Sequence, residues 1–424
     1  MSESVYPHLE AALSAKGIGP KGLKPLPKED YEGLFRELNN GAPEPLVAAF
    51  LMGFQVLEHD ELERAYLLEA YKSQSPRCSP ELKFLLEPFS HSPSVEVEFW
   101  IQSLVKGEEL SEDICKKLIA FLLDPCEKDI YKVALLQGLR VKRESDGENE
   151  HLLRALCALA PRRKVPLTQL IDLSFPYDGM TRNDDISLEL LAMLSMMGQH
   201  VVIHGVKFLG PKFGSVILDQ IDESVKCDFD RAEQGLKTAG VAILDQACIF
   251  PELQSLLPLR NAMKKRPFLA TMEKMLQPLR AERNIIVTGY VHSAYRDSIP
   301  EMLSKVGLYE QILLVKGLEG SVVLDPYKKQ SLFLRQQTSI EELDLPRWEA
   351  PLVLEKDPTV NWWRNSAHVK TKTLLFTAGT ILQVVLGDRQ LDVIVHTMQN
   401  KLDSGLLEKQ LELIYQIYPM IKSK

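Results

Sequence analysis

The sequence predicts an α/β protein in which a helical bundle, present in two copies, precedes an open α/β sheet domain with helices on both faces. Three observations predict it. The first third is written in amphipathic helical periodicity that repeats itself. Farther on, short apolar runs suited to strands alternate with helical segments. Between them, Leu173–Ser215 carries two glycine-bearing turns where strand-like runs meet helices.

In the first third, Ala48–Val56 (AAFLMGFQV) aligns without gaps on Val133–Val141 (VALLQGLRV) at an offset of 85 residues. The same offset pairs Leu34 with Ile119, Leu38 with Leu123 and Gly53 with Gly138. Leu46, Phe50 and Phe54 recur at every fourth position, as do Tyr131, Leu135 and Leu139, so each copy paints one apolar stripe on a helix. Duplication explains this register better than chance likeness between amphipathic helices. Residues 1–75 are therefore expected to form an added bundle, and residues 76–110 a linker with short helices, because Ser73–Val95 is rich in Ser and Pro. Residues 111–165 form the second copy, completed by part of the later helices, and residues 166–424 the α/β domain.

Within that domain a helix is expected over Ile186–Met197, ended by Gly198 in the left-handed conformation. Val201–Ile203 make a short strand leading into His204-Gly205. The loop Gly210–Ser215 then opens another helix, whose first N–H groups are free to hold an anion. Strands follow at Val241–Leu244, Ile285–Thr288 and Ile312–Val315, separated by helices such as Ser255–Met263 and Ile299–Val306. Ligands of open α/β sheets bind beyond the carboxyl ends of strands, where the strand order reverses. The loops at Asp178, His204 and Lys316 each adjoin such an end.

Composition narrows the function classes. With 45% hydrophobic and 25% charged residues in 424, the chain is ordinary globular protein. No run of about 18 apolar residues occurs, so no membrane span is expected. The N-terminal stretch lacks a basic and apolar leader, so the cytoplasm is the expected location. A net charge of −8 disfavours nucleic acid as a partner. Six cysteines without CxxC spacing suit reduced, buried thiols. Arg162-Arg163-Lys164 reads as a solvated face, Trp362-Trp363 as core or interface anchors, and Asp184-Asp185 as a cap that charges the start of the Ile186 helix favourably.

The order of the turns resembles the anthranilate phosphoribosyltransferase family, from about residue 110 to the last helices. The family's K-H-G…S-G-S segment is matched at His204-Gly205 and Gly214-Ser215, with Lys212 where a lysine is common. Its G-T-G-G-D turn is replaced by Ser174–Gly179 (SFPYDG), which keeps an Asp-Gly pair but little of the bare backbone that lets pyrophosphate approach. Leu313–Ser321 stands where the family ends a segment in a metal-binding Asp-Glu pair. Here the pair reads Glu319-Gly320, so Glu319 is the one metal candidate and magnesium is expected to matter little. Arg260–His292 resembles the acceptor region, with Arg266 on the family's arginine and Pro267 and Glu273 in place of threonine and asparagine. Leu374–Ile414 resembles the closing helix pair.

What the resemblance implies is pentosyl transfer from phosphoribosyl pyrophosphate, or a similar phosphorylated sugar, to a small-molecule acceptor. Anthranilate, in tryptophan biosynthesis, is the family's best-known one. A nucleophile attacks the anomeric carbon while pyrophosphate leaves, so holding phosphates and placing the acceptor do most of the work. The donor would fall to Asp178, Gly179, Thr181 and Arg182, with His204, Gly205, Lys212, Gly214 and Ser215 as the other wall. The acceptor would fall to Arg260, Lys264 and Arg266. For His204 two readings stay open, a satisfied structural histidine or a ligand. The rival function is a non-catalytic member that keeps the fold and binds nucleic acid or a protein. Family members dimerise through the helical domain; two copies pairing within one chain would cover that surface, so a monomer is expected over a homodimer.

Overall fold

The computed structural model describes residues 5–16, 26, 28–57, 63–65, 67, 79–90, 92–177, 179–180, 182–207, 216–261, 263, 266–325, 330–336, 339–345, 361–387 and 390–421. The chain forms two compact units, one of Met1–Leu159 with Glu252–Met272 and one of Ala160–Pro251 with Glu273–Lys424.

The first unit is helical: α1 (Pro7–Lys16), α2 (Lys28–Asn39), α3 (Glu44–Val56), α4 (Pro80–Leu86), α5 (Glu96–Val105), α6 (Glu112–Leu123), α7 (Asp129–Lys142) and α8 (Asp146–Leu159). Local chemistry starts several of them. Ser79 and Ser111 accept from the backbone N–H of Leu82 and Ile114, and Pro80 at the first position of α4 has its φ already set for a helix. Shifting α2 and α3 by the 85-residue offset lands on α6 and α7 to within a residue at each end. A pair of acids recurs at the same offset. The Glu63 carboxylate accepts from the Leu26 N–H at 2.7 Å, and that of Glu148 from the Leu110 N–H at 2.9 Å. All six stripe residues are buried, and α3 lies along α7. A Cβ on Gly138 would sit 2.4 Å from the Met52 methyl, so the two copies meet where a glycine leaves room.

The second unit carries the sheet. Its strands are β1 (Arg163–Lys164), β2 (Gln169–Ser174), β3 (Val201–Gly205), β4 (Val241–Asp245), β5 (Leu279–Arg280), β6 (Arg283–Gly289), β7 (Gln311–Val315), β8 (Gln330–Gln336) and β9 (Ser339–Leu345). β1 and β5 make a small parallel pair. The main sheet has the order β4-β3-β2-β6-β7-β8-β9, parallel through β7 and antiparallel beyond. Its helices are α9 (Ser187–Met196), α10 (Phe229–Ala239), α11 (Ala294–Val306), α12 (Val369–Leu386), α13 (Leu391–Asp403) and α14 (Leu406–Ile417). One side of the parallel strands, including Ile171, Leu173, Ile203, Ile243, Val287 and Leu313, forms a single core with α9, α12, α13 and α14. Trp362 and Trp363 belong to that core. α11 packs along β7 outside it, through Ile299, Met302 and Leu303.

Several expectations are refined. The Ile186 helix starts at Ser187, and Gly198 has φ +85° as its terminator. The helix read over Ser255–Met263 is instead the short helix Leu257–Asn261, with Pro258 in its first turn, where a missing N–H costs no intrahelical bond. The closing pair is three helices, broken at Gly387 and Gly405, both at positive φ. α12 is apolar and long enough, by length and composition alone, to cross a membrane; 78% of its 18-residue stretch is buried, the state of a core helix. Of the described cysteines, all free, Cys115, Cys157 and Cys227 are buried and Cys126 and Cys248 exposed.

Candidate functional site

β3 and β4 add on one side of β2, whereas β6 and β7 add on the other, so the strand order reverses between β2 and β6. Ligand crevices of open α/β sheets form there. On the sheet side away from the apolar core, Asp172, Ser174 and His204 lie beneath the loop that follows β2. The Tyr177 hydroxyl shares a hydrogen bond with His204 Nδ1 and lies 3.2 Å from the Glu273 carbonyl oxygen, so its single proton has two competing acceptors. His204 Nε2 lies 3.5 Å from Asp172 Oδ1, and Asp172 Oδ2 accepts from the Tyr309 hydroxyl at 2.8 Å. Each of these four side chains is buried. The tautomer with its proton on Nε2 lets His204 accept from Tyr177 while facing Asp172 with an N–H. Nearby, Ser174 Oγ donates to the Lys274 carbonyl at 2.7 Å and Lys274 Nζ donates to the Gly289 carbonyl at 2.9 Å. The turn at residues 273–275 is thus stitched across the ends of β2 and β6.

The far end of the same loop is fastened separately. Gly179 sits at φ +67°, where glycine is cheapest, and the chain then reaches Arg182 and Asn183. Glu319 Oε1 accepts from Arg182 N (2.8 Å), Asn183 N (2.9 Å) and Asn183 Nδ2 (3.0 Å), and Glu319 Oε2 is 3.8 Å from Arg182 Nε. The Glu319 side chain is 11% exposed and that of Arg182 80%. Asp184 pairs with the buried Lys370, whose ammonium lies 5.8 Å from the Trp362 ring centroid, and Asp185 Oδ1 accepts from the Ser187 N–H at 2.8 Å at the start of α9. Burial, reinforced by the Asp185 and Asp184 carboxylates and offset in part by Lys370, pushes the Glu189 carboxyl up to about 7.

The structure brings Gly179, Arg182, His204, Gly205 and Glu319 to the strand-end side of the second unit. Asp178, Thr181, Lys212, Gly214 and Ser215 lie outside the described residues, as does Lys264. The helix after Ser215, Val216–Gln220, is only five residues long. Arg260, 3% exposed, and the exposed Arg266 belong to the first unit. His204 is 3% exposed, with a protein group facing each ring nitrogen. Sequence reasoning missed Asp172, Tyr177, Asn183, Lys274 and Lys370. Asp172 did carry a signal: a carboxylate inside the apolar run Leu170–Leu173 is costly to bury without partners.

A magnesium ion fits poorly here. Three N–H donors already occupy Glu319 Oε1, a guanidinium faces Oε2, and Gly320 offers no side-chain oxygen. Among the described residues no three His, Cys, Asp or Glu side chains cluster so as to hold a metal.

No protein-family model matches the chain. An uncharacterised protein of Aquifex aeolicus is 27% identical over 290 residues, 65% of this chain and 87% of that one. The anthranilate phosphoribosyltransferase of Aeropyrum pernix is 27% identical over 223 residues, 52% of this chain and 63% of the enzyme, so the match spans less than two thirds of that relative. Among solved structures, anthranilate phosphoribosyltransferase of Thermus thermophilus superposes with a TM-score of 0.59 at 16% identity, covering 74% of this chain and 98% of that one. The Saccharomyces cerevisiae enzyme in complex with PRPP and Mg gives 0.59 at 13% identity, covering 77% and 98%. In sequence the chain is similar to anthranilate phosphoribosyltransferases, and it shares their fold.

Proposed function

We propose that the second unit is a pentosyltransferase of the phosphoribosyl type, binding a pyrophosphate-bearing sugar at the carboxyl ends of β2, β3 and β7 and passing the pentose to a small acceptor. The observation that carries this reading is the convergence of the Gly179–Asn183 loop and the Glu319 turn beside the β2–β6 reversal, held there by the Glu319 contacts. The relatives named for this chemistry support it. The chain's own groups would act by placement. Arg182, a cation largely open to solvent, meets phosphate charge. The Tyr177–His204–Asp172 string, closed to solvent, fixes the start of the loop so that it need not reorganise as the leaving group departs. Anthranilate is the acceptor to try first, because the named relatives carry it in their names.

The test is calorimetric titration of the full chain with phosphoribosyl pyrophosphate, followed by mixing with anthranilate and reading loss of its fluorescence and release of pyrophosphate. Binding and pyrophosphate release are expected. Binding without release with any aromatic amine acceptor would favour the non-catalytic reading. No binding at about millimolar donor, a threshold of roughly −4 kcal/mol, would overturn the assignment.

A further inference from the structure

We infer that the donor loop works without a divalent cation: Glu319 is an anchor for the loop backbone, and the Arg182 guanidinium supplies the positive charge that a metal would bring to the phosphates. The inference rests on the pentosyl-transfer reading and specifies the ionic partner of its donor. A carboxylate oxygen has two lone pairs, and three N–H groups already point at Glu319 Oε1, so a hard cation would have to break those contacts and free the backbone of residues 182 and 183. Its other oxygen faces Arg182 Nε at 3.8 Å, so a dication bound there would sit against a positive charge. The next carboxylate along the loop, Asp184, is likewise paired with a protein cation, the ammonium of Lys370. Glu319 and Asp184 are therefore both compensated by cations from within the chain. Arg182 nevertheless keeps its side chain 80% exposed, and a planar fork of N–H donors suits a phosphate better than a single carboxylate 3.8 Å away engages it.

The experiment is titration of the full-length protein with inorganic pyrophosphate, in EDTA and again in excess magnesium, on the wild type, Arg182→Ala and Glu319→Gln. The wild type is expected to bind in EDTA at least as tightly as in magnesium, since the free anion is the species Arg182 meets. Arg182→Ala is expected to lose about tenfold or more of the EDTA affinity, the worth of one charge-assisted hydrogen bond. Its side chain is exposed, and an unchanged thermal unfolding curve will show that the fold survives. Glu319→Gln keeps an acceptor oxygen for the loop and removes a negative charge, so its EDTA affinity is expected to hold or rise. A gain of about tenfold or more on adding magnesium, abolished in Glu319→Gln, would overturn the inference and leave the pentosyl-transfer reading standing. Wild-type affinity in Arg182→Ala would also overturn it. Failure to bind pyrophosphate in either buffer would overturn both.

Discussion

Glu189 shows how one side chain beneath the loop sets a pH dependence. It stands in the first turn of α9, with Asp184 and Asp185 just before it and Lys370 as the nearby cation. Although the residue as a whole is half-buried, its carboxyl is closed in, and burial lifts it from the ordinary 4.5 to about 7. The folded value lies above the unfolded one. Between pH 4.5 and about 7 the folded state therefore holds a proton that the unfolded chain has lost, and stability falls as pH rises through that window. Above it the full penalty applies. Glu189→Gln removes the ionisation and keeps the shape, so it is expected to stabilise the protein by about 1–3 kcal/mol at a pH above the window and to change little below it. Urea unfolding on both sides of the window measures this; a variant whose midpoint shift is the same at both pH values would show that the carboxyl is not held protonated.

At the scale of elements, the approach of β6 to the loop after β7 is the tightest joint near the candidate site. A Cβ on Gly289, the last residue of β6, would lie 1.9 Å from the Ser321 carbonyl oxygen, and one on Gly317 would lie 1.7 Å from the same atom. Both contacts are with backbone, which cannot swing aside as a side chain does. Gly289→Ala is therefore expected to cost about 2–3 kcal/mol and to shift the Glu319 turn, weakening pyrophosphate binding as well as stability. Equal stability of variant and wild type by chemical denaturation would show that the joint is slack. This joint also marks where sequence stops informing. β3, β4, β6 and β7 were legible because apolar runs bounded by Gly, Asn or Asp have few alternatives to a buried strand. β2 was legible only as a strand end before the Asp178 loop, without bounds, because Asp172 and Ser174 interrupt its run to serve the polar string beneath the loop. Arg182 and Glu319 were both named from the chain, as phosphate ligand and metal ligand. That they bind each other across 137 residues is a fact of topology that no local pattern encodes.

For the whole molecule, the repeat determines what the first unit does with its apolar stripes. Leu46, Phe50 and Phe54 on α3 and Tyr131, Leu135 and Leu139 on α7 are all buried, and the two helices pack together in one chain. An intramolecular partner acts at an effective concentration of about millimolar or more, far above what a second chain offers in dilute solution, so the paired stripes leave little for self-association through this face. The full chain is thus expected to run as a monomer near 48.0 kDa by light scattering. Removing residues 1–78 takes away α1, α2 and α3 and uncovers the face of α7 that holds Gly138 against Met52. Contiguous apolar surface of that kind drives association. The truncated protein is therefore expected to dimerise or aggregate, and to be rescued when the stripe positions Leu135 and Leu139 are made polar only if each is exposed by the truncation. In the full chain the same two changes bury unpaired polar groups and are expected to destabilise it by several kcal/mol, on the order of 2 or more per site. A dimeric full chain, together with a truncation that keeps its mass class and solubility, would show that the two copies do not shield each other.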